Sequence, residues 1–345
     1  MGVPERVLSA FDELASSAIT PISTGLLHET YAVQNADDHQ FILQRINPVF
    51  SLGVNHNIRA VTERLSERGI ETFRLIPCNG EPYADLGEDG LWRLMTRIPG
   101  IAFERPEGAE HARDAGRLIA SFHRALFDFD APLQPIGFPY HDTNQHLQEL
   151  SQALEECGEH ALHGEISKLA DQILASAAEL PSFDDLPCRV IHGDLKFNNI
   201  LFEPADPPKP PRPIALIDFD TIARMPLAYD WGDALRSWCN RRAESEPEAE
   251  LDLSLARAAC EGLMSAFETG LDPAELDSLA WGLEIISLEL SARFATDALR
   301  ECYFAWDHEK YETAGAHNRD RALGQYDLYR QARETHDERA RHLCL

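Results

Sequence analysis

Lysine is the residue that this sequence most clearly lacks. Its 345 residues include only four lysines, and the first 167 residues contain none; the four are Lys168, Lys196, Lys209 and Lys310. If the N-terminal part of the chain binds a phosphate group through a cation, that cation is therefore not a lysine. The guanidinium of arginine is the natural alternative. The scarcity also makes the position of each lysine informative.

Positive charge as a whole is in short supply. The chain has 31 Lys and Arg against 58 Asp and Glu, a formal net charge of −27. A protein that binds nucleic-acid phosphates or anionic lipid needs a basic face, so this balance argues against both classes of partner. The other percentages are ordinary for a globular protein, with 44% hydrophobic and 26% charged residues.

Two further absences concern the membrane and the disulfide bond. No apolar run approaches the about 18 residues that a membrane helix needs, and the N-terminus has no apolar segment typical of a signal peptide. The seven cysteines stand singly, without a Cys-x-x-Cys pair. Scattered cysteines of this kind favour reduced thiols over a disulfide framework or a zinc site. We therefore expect a cytoplasmic protein.

The two ends of the chain differ in their hydrophobic patterns. Before residue 98, short apolar runs such as 41–46 and 91–98 predict strands, and residues 57–68 predict one helix that ends at Gly69. After residues 98–100, amphipathic helices dominate, beginning with residues 111–127. We predict an α+β fold with a small β-rich N-terminal lobe, residues 1–98, and a large, mainly helical C-terminal lobe, residues 99–345.

The residues that carry chemistry lie in two short segments of the second part. Asp194 follows an apolar strand and the residue His192, Asn199 comes five positions later, and Asp218 ends the next strand. Asp and Asn side chains are hard oxygen ligands that suit Mg²⁺ and not zinc. The pattern His-x-Asp-x4-Asn followed by a metal-binding Asp is what phosphoryl transfer in the kinase fold requires.

A purely structural interpretation is also available for these residues. Asp194 and Asn199 would then be turn residues, and Asp218 would cap a helix. The order of the two motifs, each after an apolar strand and both after a strand-rich segment, favours the chemical interpretation.

With these motifs, several other segments carry a family resemblance: residues 41–50, 138–143, 230–236 and 288–304. The sequence resembles the aminoglycoside phosphotransferase and choline kinase-like superfamily over residues 18–333, and within it the N-acetylhexosamine 1-kinase group. The resemblance implies a bilobal protein-kinase-like fold, ATP and Mg²⁺ as cofactors, and transfer of phosphate to the anomeric hydroxyl of a sugar.

The resemblance also implies roles for individual residues. Asp194 would be the catalytic base, and Asn199 and Asp218 would bind Mg²⁺. Lys196, two residues after the base, would neutralise charge on the transferred phosphoryl group. Asp220 would either assist at the metal or hold its loop.

The N-terminal lobe departs from the family pattern, because kinase-fold enzymes usually place a lysine on the third strand. Arg45 is the natural substitute, although Gln44 faces the opposite side of the same strand and the sequence leaves open which of the two faces the phosphates. Glu63 is either the ion-pair partner of that cation or a solvated helix residue. Gly25 and Thr30 are placed in a turn that would cover the phosphates.

The acceptor would bind to the C-terminal helices through Arg293, Asp297 and Tyr303. The alternative is that Arg293 and Asp297 form a solvated i,i+4 pair on an ordinary helix. Other acceptors remain open, namely an aminoglycoside, choline or homoserine, as does a nucleotide-binding pseudokinase without turnover. We expect a small-molecule acceptor and ATP as partners and neither nucleic acid nor membrane; the choice between ATP and GTP and between monomer and homodimer stays open.

Overall fold

The computed structural model describes residues 3–15, 17–22, 27–204, 211–267 and 270–343. Within these ranges the strands are β1 (Ala18–Ile22), β2 (Glu29–Gln34), β3 (Gln40–Arg45), β4 (Leu75–Ile76), β5 (Ala84–Asp85), β6 (Leu91–Thr96), β7 (Arg189–Ile191), β8 (Ile200–Phe202), β9 (Pro213–Leu216) and β10 (Ala223–Met225). The helices are α1 (Glu5–Leu8), α2 (Gly53–Glu67), α3 (Ala109–Leu126), α4 (Thr143–Glu156), α5 (His163–Ala177), α6 (Leu227–Cys239), α7 (Leu253–Ala266), α8 (Pro273–Arg300), α9 (Ala314–Glu334) and α10 (His336–His342).

The N-terminal strands form one antiparallel sheet in the order β1-β2-β3-β6-β4, and β5 also pairs with β6. The predicted strands 41–46 and 91–98 correspond to β3 and β6. The predicted helix 57–68 lies within α2, which begins earlier, at Gly53. Gly69 follows α2 with φ 75°, the left-handed conformation that ends a helix without a Cβ penalty.

The two faces of this sheet have different surroundings. Tyr31, Leu43 and Trp92 point to the face that α1 covers, and they pack there with Val7 and Phe11. Successive side chains of a strand point to opposite faces, so the cross-strand row of Thr30, Gln44 and Arg93 lies on the other face. This second face is turned toward α2 and the C-terminal part.

Helices build most of the C-terminal part, with two small antiparallel strand pairs, β7 with β10 and β8 with β9. One hydrophobic core continues from α2 through α3 to α6 and α8, with Ile58, Ile119, Trp231 and Leu283 among its buried members. Residue 101 also joins β8 through two main-chain hydrogen bonds to Phe202, 3.0 and 2.9 Å long. The sheet, the helices and the strand pairs therefore share packed surfaces around one cleft. Within the described ranges, none of the helices is both long and apolar enough to cross a lipid bilayer.

Helices α6 and α8 approach each other so closely that their main chains touch. A Cβ atom on Gly232 would overlap the main-chain oxygen of Gly282, and a Cβ atom on Gly282 would overlap that of Ala228. Glycine is therefore required at this crossing. The contact fixes α6 against α8, the longest helix of the described chain. Helix α6 carries Asp230 and Asp233 toward the cleft.

We predict that Gly282→Ala destabilises the protein, because its new methyl group cannot enter the α6–α8 contact without separating the two helices. The expected loss in the free energy of unfolding is about 1–3 kcal/mol, measured by urea denaturation. Gly164→Ala is the matched control, since Gly164 lies in α5 with open space around its Cα. There the change should stabilise the helix by up to about 1 kcal/mol. Equal effects at the two positions would contradict the packing argument.

Candidate active site

The loop that follows β7 is held by hydrogen bonds to buried groups on both sides. The Asp230 carboxylate accepts the main-chain N–H groups of His192 and Gly193, at 2.7 and 2.6 Å. The ring of His192 donates through Nε2 to the carbonyl oxygen of Ile217, 2.9 Å away. Gly193 has φ 89°, and a Cβ atom there would lie 2.6 Å from the carbonyl oxygen of Thr221. His192 and Asp230 thus hold this loop in place.

Asp194 extends from the loop into the cleft, where it meets the two polar side chains that follow it in the sequence. Lys196 Nζ lies 3.0 Å from Asp194 Oδ1 and 3.2 Å from Oδ2. Asn199 Nδ2 donates to the main-chain oxygen of Asp194 at 2.8 Å. Burial acts to raise the pKa of Asp194, but the charge and hydrogen bond of Lys196 outweigh it and lower that pKa. The carboxylate is therefore ionised at neutral pH and able to accept a proton.

Asp218 reaches the same place from the neighbouring strand pair. Strands β8 and β9 pair Ile200 with Leu216, and the N–H of Ile217 donates to the carbonyl oxygen of Asn199 at 3.0 Å. Asp218 follows in the left-handed conformation, φ 67°, which turns its side chain out of the strand. The side chain keeps an exposed surface toward the cleft. Exclusion of solvent by the cleft walls, together with the charges of Asp220 and Asp194, raises the pKa of Asp218.

The donors around Asp218 fit a metal ion that is bound jointly with a phosphate. Across the described residues, no three His, Cys, Asp or Glu side chains form a metal cage of their own. Asn199 and Asp218 offer oxygen ligands from two adjacent segments. Mg²⁺ is typically held by one or two protein carboxylates together with water and substrate phosphates. A divalent cation would also relieve the repulsion that raises the pKa of Asp218.

On the N-terminal sheet, Gln44 and not Arg45 faces the cleft. Gln44 Nε2 donates to Thr30 Oγ1 at 3.2 Å, and Gln44 Oε1 accepts a hydrogen bond from Arg93 Nε at 2.8 Å. Arg45 lies on the opposite face, where its Nη1 is 2.9 Å from Glu29 Oε1 and the side chain is 41% exposed. The sequence left open which of the two residues faces the phosphates; strand alternation turns Arg45, the proposed substitute for the lysine, away from the cleft.

The other predicted N-terminal residues have mixed outcomes. Thr30 lies in the cleft-facing row of the sheet, beside Gln44. Glu63 is exposed on α2 and has no ion pair among the described contacts, so it is not the partner of a cleft cation. Asn55, on another side of the same helix, is buried and lies 3.4 Å from Arg93 of the sheet. Gly25 lies outside the described residues.

The sequence did not single out Arg93 and His28, the two residues that bind Asp220. Arg93 Nη1 and Nη2 lie 2.7 and 2.6 Å from the two carboxylate oxygens of Asp220. His28 Nε2 lies 3.2 Å from Asp220 Oδ2, and its Nδ1 accepts the N–H of Asn47. Asp220 thus holds its loop against the N-terminal sheet, one of the two roles left open for it. The only signal in the sequence was the alternation of β6, which does not identify a partner so distant in the chain.

Of the three predicted acceptor residues, Arg293 lies nearest to the catalytic loop. Burial raises the pKa of Tyr140 well above its usual value, and the charge of Arg293 opposes part of that rise. The same charge contributes to the lowered pKa of Glu289, and the Tyr140 hydroxyl donates to the carbonyl oxygen of Gly193. Its guanidinium carbon is 5.9 Å from the centre of the Tyr303 ring. Tyr303 itself is 59% exposed at the rim.

Asp297 has a different role from either of the predicted ones. Its carboxylate is buried and accepts the main-chain N–H groups of Cys302, Tyr303 and Phe304, each at 2.9 Å, as well as Asn318 Nδ2 at 2.9 Å. These four bonds occupy its acceptor positions. Asp297 therefore fixes the loop that carries Tyr303, and it is neither free for a substrate nor half of a solvated pair with Arg293.

A second buried ion pair supports the catalytic loop from the opposite side. His141, with φ 51°, places Nδ1 3.1 Å from Glu289 Oε1 and Nε2 3.1 Å from the carbonyl oxygen of Gly193. Thr143 Oγ1 donates to the other oxygen of Glu289 at 2.6 Å. Burial acts to raise the pKa of Glu289 and to lower that of His141. Their attraction outweighs burial in both, lowering the pKa of Glu289 to about 2 and raising that of His141.

These shifts predict how Glu289→Gln affects stability at different pH values. The depressed pKa of Glu289 gives stability that is present above its ordinary pKa of 4.5 and lost as the pH falls toward about 2. The raised pKa of His141 gives stability that is present below 6.5 and lost as the pH rises through its shifted value. The loss in the free energy of unfolding caused by Glu289→Gln should thus be largest between pH 4.5 and 6.5, on the order of 3 kcal/mol.

Chemical denaturation across this pH range measures the effect. Glu156→Gln is the control, because Glu156 forms an exposed ion pair with Arg300. Such a pair contributes up to about 1 kcal/mol, so the control should show a small and nearly flat difference. A cost of Glu289→Gln that does not change with pH would show that the ion pair is not its source.

Comparison with known proteins agrees with this geometry. A homoserine kinase from Methylobacterium sp. is 28% identical over 188 residues, which are 54% of this chain and 51% of that kinase; the chain thus spans about half the length of the curated relatives that it matches first. In three dimensions it is similar to an aminoglycoside phosphotransferase from Alicyclobacillus acidocaldarius, with TM-score 0.60 and 17% identity over 98% and 97% of the two chains. It is also similar to a microcompartment-associated aminopropanol kinase, with TM-score 0.62 and 16% identity over 98% of both chains.

These structural neighbours confirm the predicted protein-kinase-like fold with a β-rich N-terminal part and a helical C-terminal part. The predicted superfamily is confirmed as well, while the narrower sugar-kinase group remains a prediction. Residues 18–266 match the phosphotransferase enzyme family, well over half of the sequence, and the chain therefore belongs to that family.

Proposed function

We propose that this protein is an ATP- and Mg²⁺-dependent kinase that phosphorylates a hydroxyl group of a small molecule. The observation that carries the proposal is the position of the Asp194 carboxylate, which Lys196 and Asn199 hold beside the segment that ends in Asp218. An ionised carboxylate in this place orients an acceptor hydroxyl and takes up its proton as the oxygen attacks the terminal phosphate.

The other residues of the loop have complementary roles in this proposal. Asn199 and Asp218 would hold Mg²⁺, which when bound would neutralise charge on the phosphates of ATP. Lys196 is 44% exposed, so its ammonium group has donors available for the transferred phosphoryl group while it remains bonded to Asp194. ATP is proposed to lie between the sheet and the helices, near Ile98. The hydrogen bonds to Asp230 keep the loop in place, so little reorganisation accompanies the reaction.

For the acceptor we propose an N-acetylhexosamine or a related sugar that is phosphorylated at its anomeric hydroxyl. Arg293 supports this choice, because a planar guanidinium donates to adjacent hydroxyls in a bidentate way and the rings of Tyr303 and Phe304 lie 5.9 and 5.6 Å from it. Aromatic rings suit the apolar face of a sugar. Asp233 Oδ2 is buried and has no hydrogen-bond partner among the described residues, and we propose that a hydroxyl of the bound acceptor donates to it.

A second candidate acceptor is homoserine, an amino acid with a primary hydroxyl. The relatives named homoserine kinases favour it, and the same two groups would serve it. Arg293 would bind the carboxylate and Asp233 the ammonium group of the amino acid. Both candidates place the reacting hydroxyl at Asp194, so they differ in the acceptor and not in the mechanism.

The proposed mechanism predicts the effect of Asp194→Asn. An amide cannot accept the hydroxyl proton, so turnover should fall by about 10²-fold or more, while ATP still binds. Acceptor-dependent release of ADP measures turnover. Asp171→Asn, an exposed change on α5, is the control and should retain full activity. Near-full turnover by Asp194→Asn would contradict the role of the base, and wild-type protein that binds ATP but releases no ADP with any acceptor would favour a pseudokinase.

A panel of sugars, homoserine, choline and aminoglycosides identifies the acceptor. We expect an N-acetylhexosamine to give the fastest ADP release and to lose its reducing end, since phosphate on the anomeric oxygen prevents ring opening. A product that still reduces would exclude phosphorylation at that oxygen, and turnover with homoserine alone would establish the second candidate.

In the same assay, Arg293→Gln tests the acceptor contact. Loss of a charged hydrogen-bond donor should raise the KM for the acceptor about tenfold or more, with little change in the KM for ATP. Arg300→Gln, on the same helix and paired with Glu156 at the surface, is the matched control. An equal rise in both variants would show that Arg293 acts through the fold and not through the acceptor.

A further inference from the structure

Arg93 is a buried cation for which the proposed mechanism has no role. It lies on β6 with 2% of its surface exposed, and it is the one buried arginine among the described residues before 98. The less buried arginines of this part, such as Arg45 and Arg59, make their contacts near the surface. A guanidinium on the cleft-facing side of the sheet is therefore a specific feature of this position.

The contacts of Arg93 fix the plane of its guanidinium. Nε donates to Gln44, Nη1 and Nη2 donate to the two oxygens of Asp220, and Nη1 also lies 3.4 Å from Asn55 Oδ1. A guanidinium has five N–H groups. These contacts use four of them, and the fifth, on Nη2, has no partner among the described residues.

The strand register places this guanidinium beside the position where a kinase-fold enzyme usually carries its lysine. The cleft-facing residue near the end of β3 is Gln44, which cannot supply charge. Its direct cross-strand neighbour on β6 is Arg93, and side chains opposite each other on adjacent strands are about 5 Å apart at Cβ. The missing positive charge is therefore present, one strand away.

Arg93 also lies at the proposed metal and phosphate site. Its partner Asp220 comes two residues after Asp218, and the charge of Arg93 acts on Asp218 as well. Phosphates that share a metal ion with Asp218 and Asn199 would lie beside this guanidinium. The alternative interpretation is that the Arg93–Asp220 pair serves stability alone. The net stabilisation from such a pair is small, because desolvation of two buried charges offsets much of their attraction.

We propose that Arg93 is the residue of the N-terminal sheet that binds the phosphates of the nucleotide, in place of the absent lysine, with Gln44, Asn55 and Asp220 orienting its guanidinium. The inference rests on the proposed function, since it requires that a nucleotide binds. The phosphate contact is thereby assigned to Arg93 on β6 and not to Arg45 on β3.

Calorimetric binding of ADP and of adenosine, both in EDTA, tests the assignment. Without metal, the difference between the two ligands reports on direct contacts between the protein and the phosphates. Arg93→Met should weaken ADP binding about tenfold to a hundredfold and leave adenosine binding unchanged. In the double variant Arg93→Met/Gln44→Lys, a lysine on β3 should restore most of the lost ADP affinity. Arg45→Met is the matched control and should match the wild type for both ligands.

Three outcomes would overturn the assignment. The first is unchanged ADP affinity in folded Arg93→Met. The second is an equal loss of ADP and adenosine affinity together with a lower Tm, which would mean that the pair is purely structural. If Arg93→Met does not fold, Arg93→Met/Asp220→Asn removes both buried charges and is compared with Asp220→Asn; equal ADP affinity in these two variants is the third. Wild-type protein that binds neither ligand in EDTA and also fails to bind ADP with Mg²⁺ would instead remove the proposed function itself.

Discussion

Two main-chain N–H groups, those of His192 and Gly193, converge on the buried carboxylate of Asp230, and the direction of the catalytic loop follows from this contact. Hydrogen bonds to a charged acceptor in a water-poor interior are strong and directional. From the other side, His141 and Tyr140 meet the carbonyl oxygen of Gly193. With both ends of its peptide units bound, the loop has one orientation, and the position of Asp194 is set before any ligand arrives.

Much of the fold, and the grouping of Asp194, Asn199 and Asp218 in one candidate site, could be predicted because the relevant signals are local. Asp194, Asn199 and Asp218 each stand a fixed number of residues from an apolar strand, and pairing of β8 with β9 brings the strand ends together. The side of the sheet that faces the cleft was harder. Shifting a strand by one residue exchanges its faces, and nothing within residues 40–45 distinguishes Gln44 from Arg45. Gln44 is distinguished by its bond to Arg93 on another strand, and Arg93 in turn binds Asp220, which lies far away in the sequence.

The role of Asp297 illustrates a second limit. Its spacing from Arg293 on one helix fits both a substrate contact and a surface pair. The structure shows that the chain turns back after α8 through Glu301, at φ 49°, and presents three main-chain N–H groups to the Asp297 carboxylate. Such a turn depends on a non-glycine residue in the left-handed conformation, which composition and periodicity do not reveal.

The net charge of −27 is compatible with an anionic ligand because the charges around the cleft are largely matched. Asp194 pairs with Lys196, Asp220 with Arg93, and Asp233 with Arg236. Each of these contacts is short, so the fields of the partners cancel at a distance. The excess of acidic residues lies mainly on solvated surface, where water and salt screen it.

The glycine contact between α6 and α8 has a consequence for how this scaffold diversifies. One helix carries the anchor of the catalytic loop, Asp230, and the other carries Glu289 and Arg293 on the acceptor side. Because Gly232 and Gly282 bring the two main chains into contact, neither helix can slide without the other. On the proposed function, mutation can therefore alter acceptor preference through side chains and the loop after residue 300, while the two helices keep the residues proposed for phosphoryl transfer in one fixed arrangement.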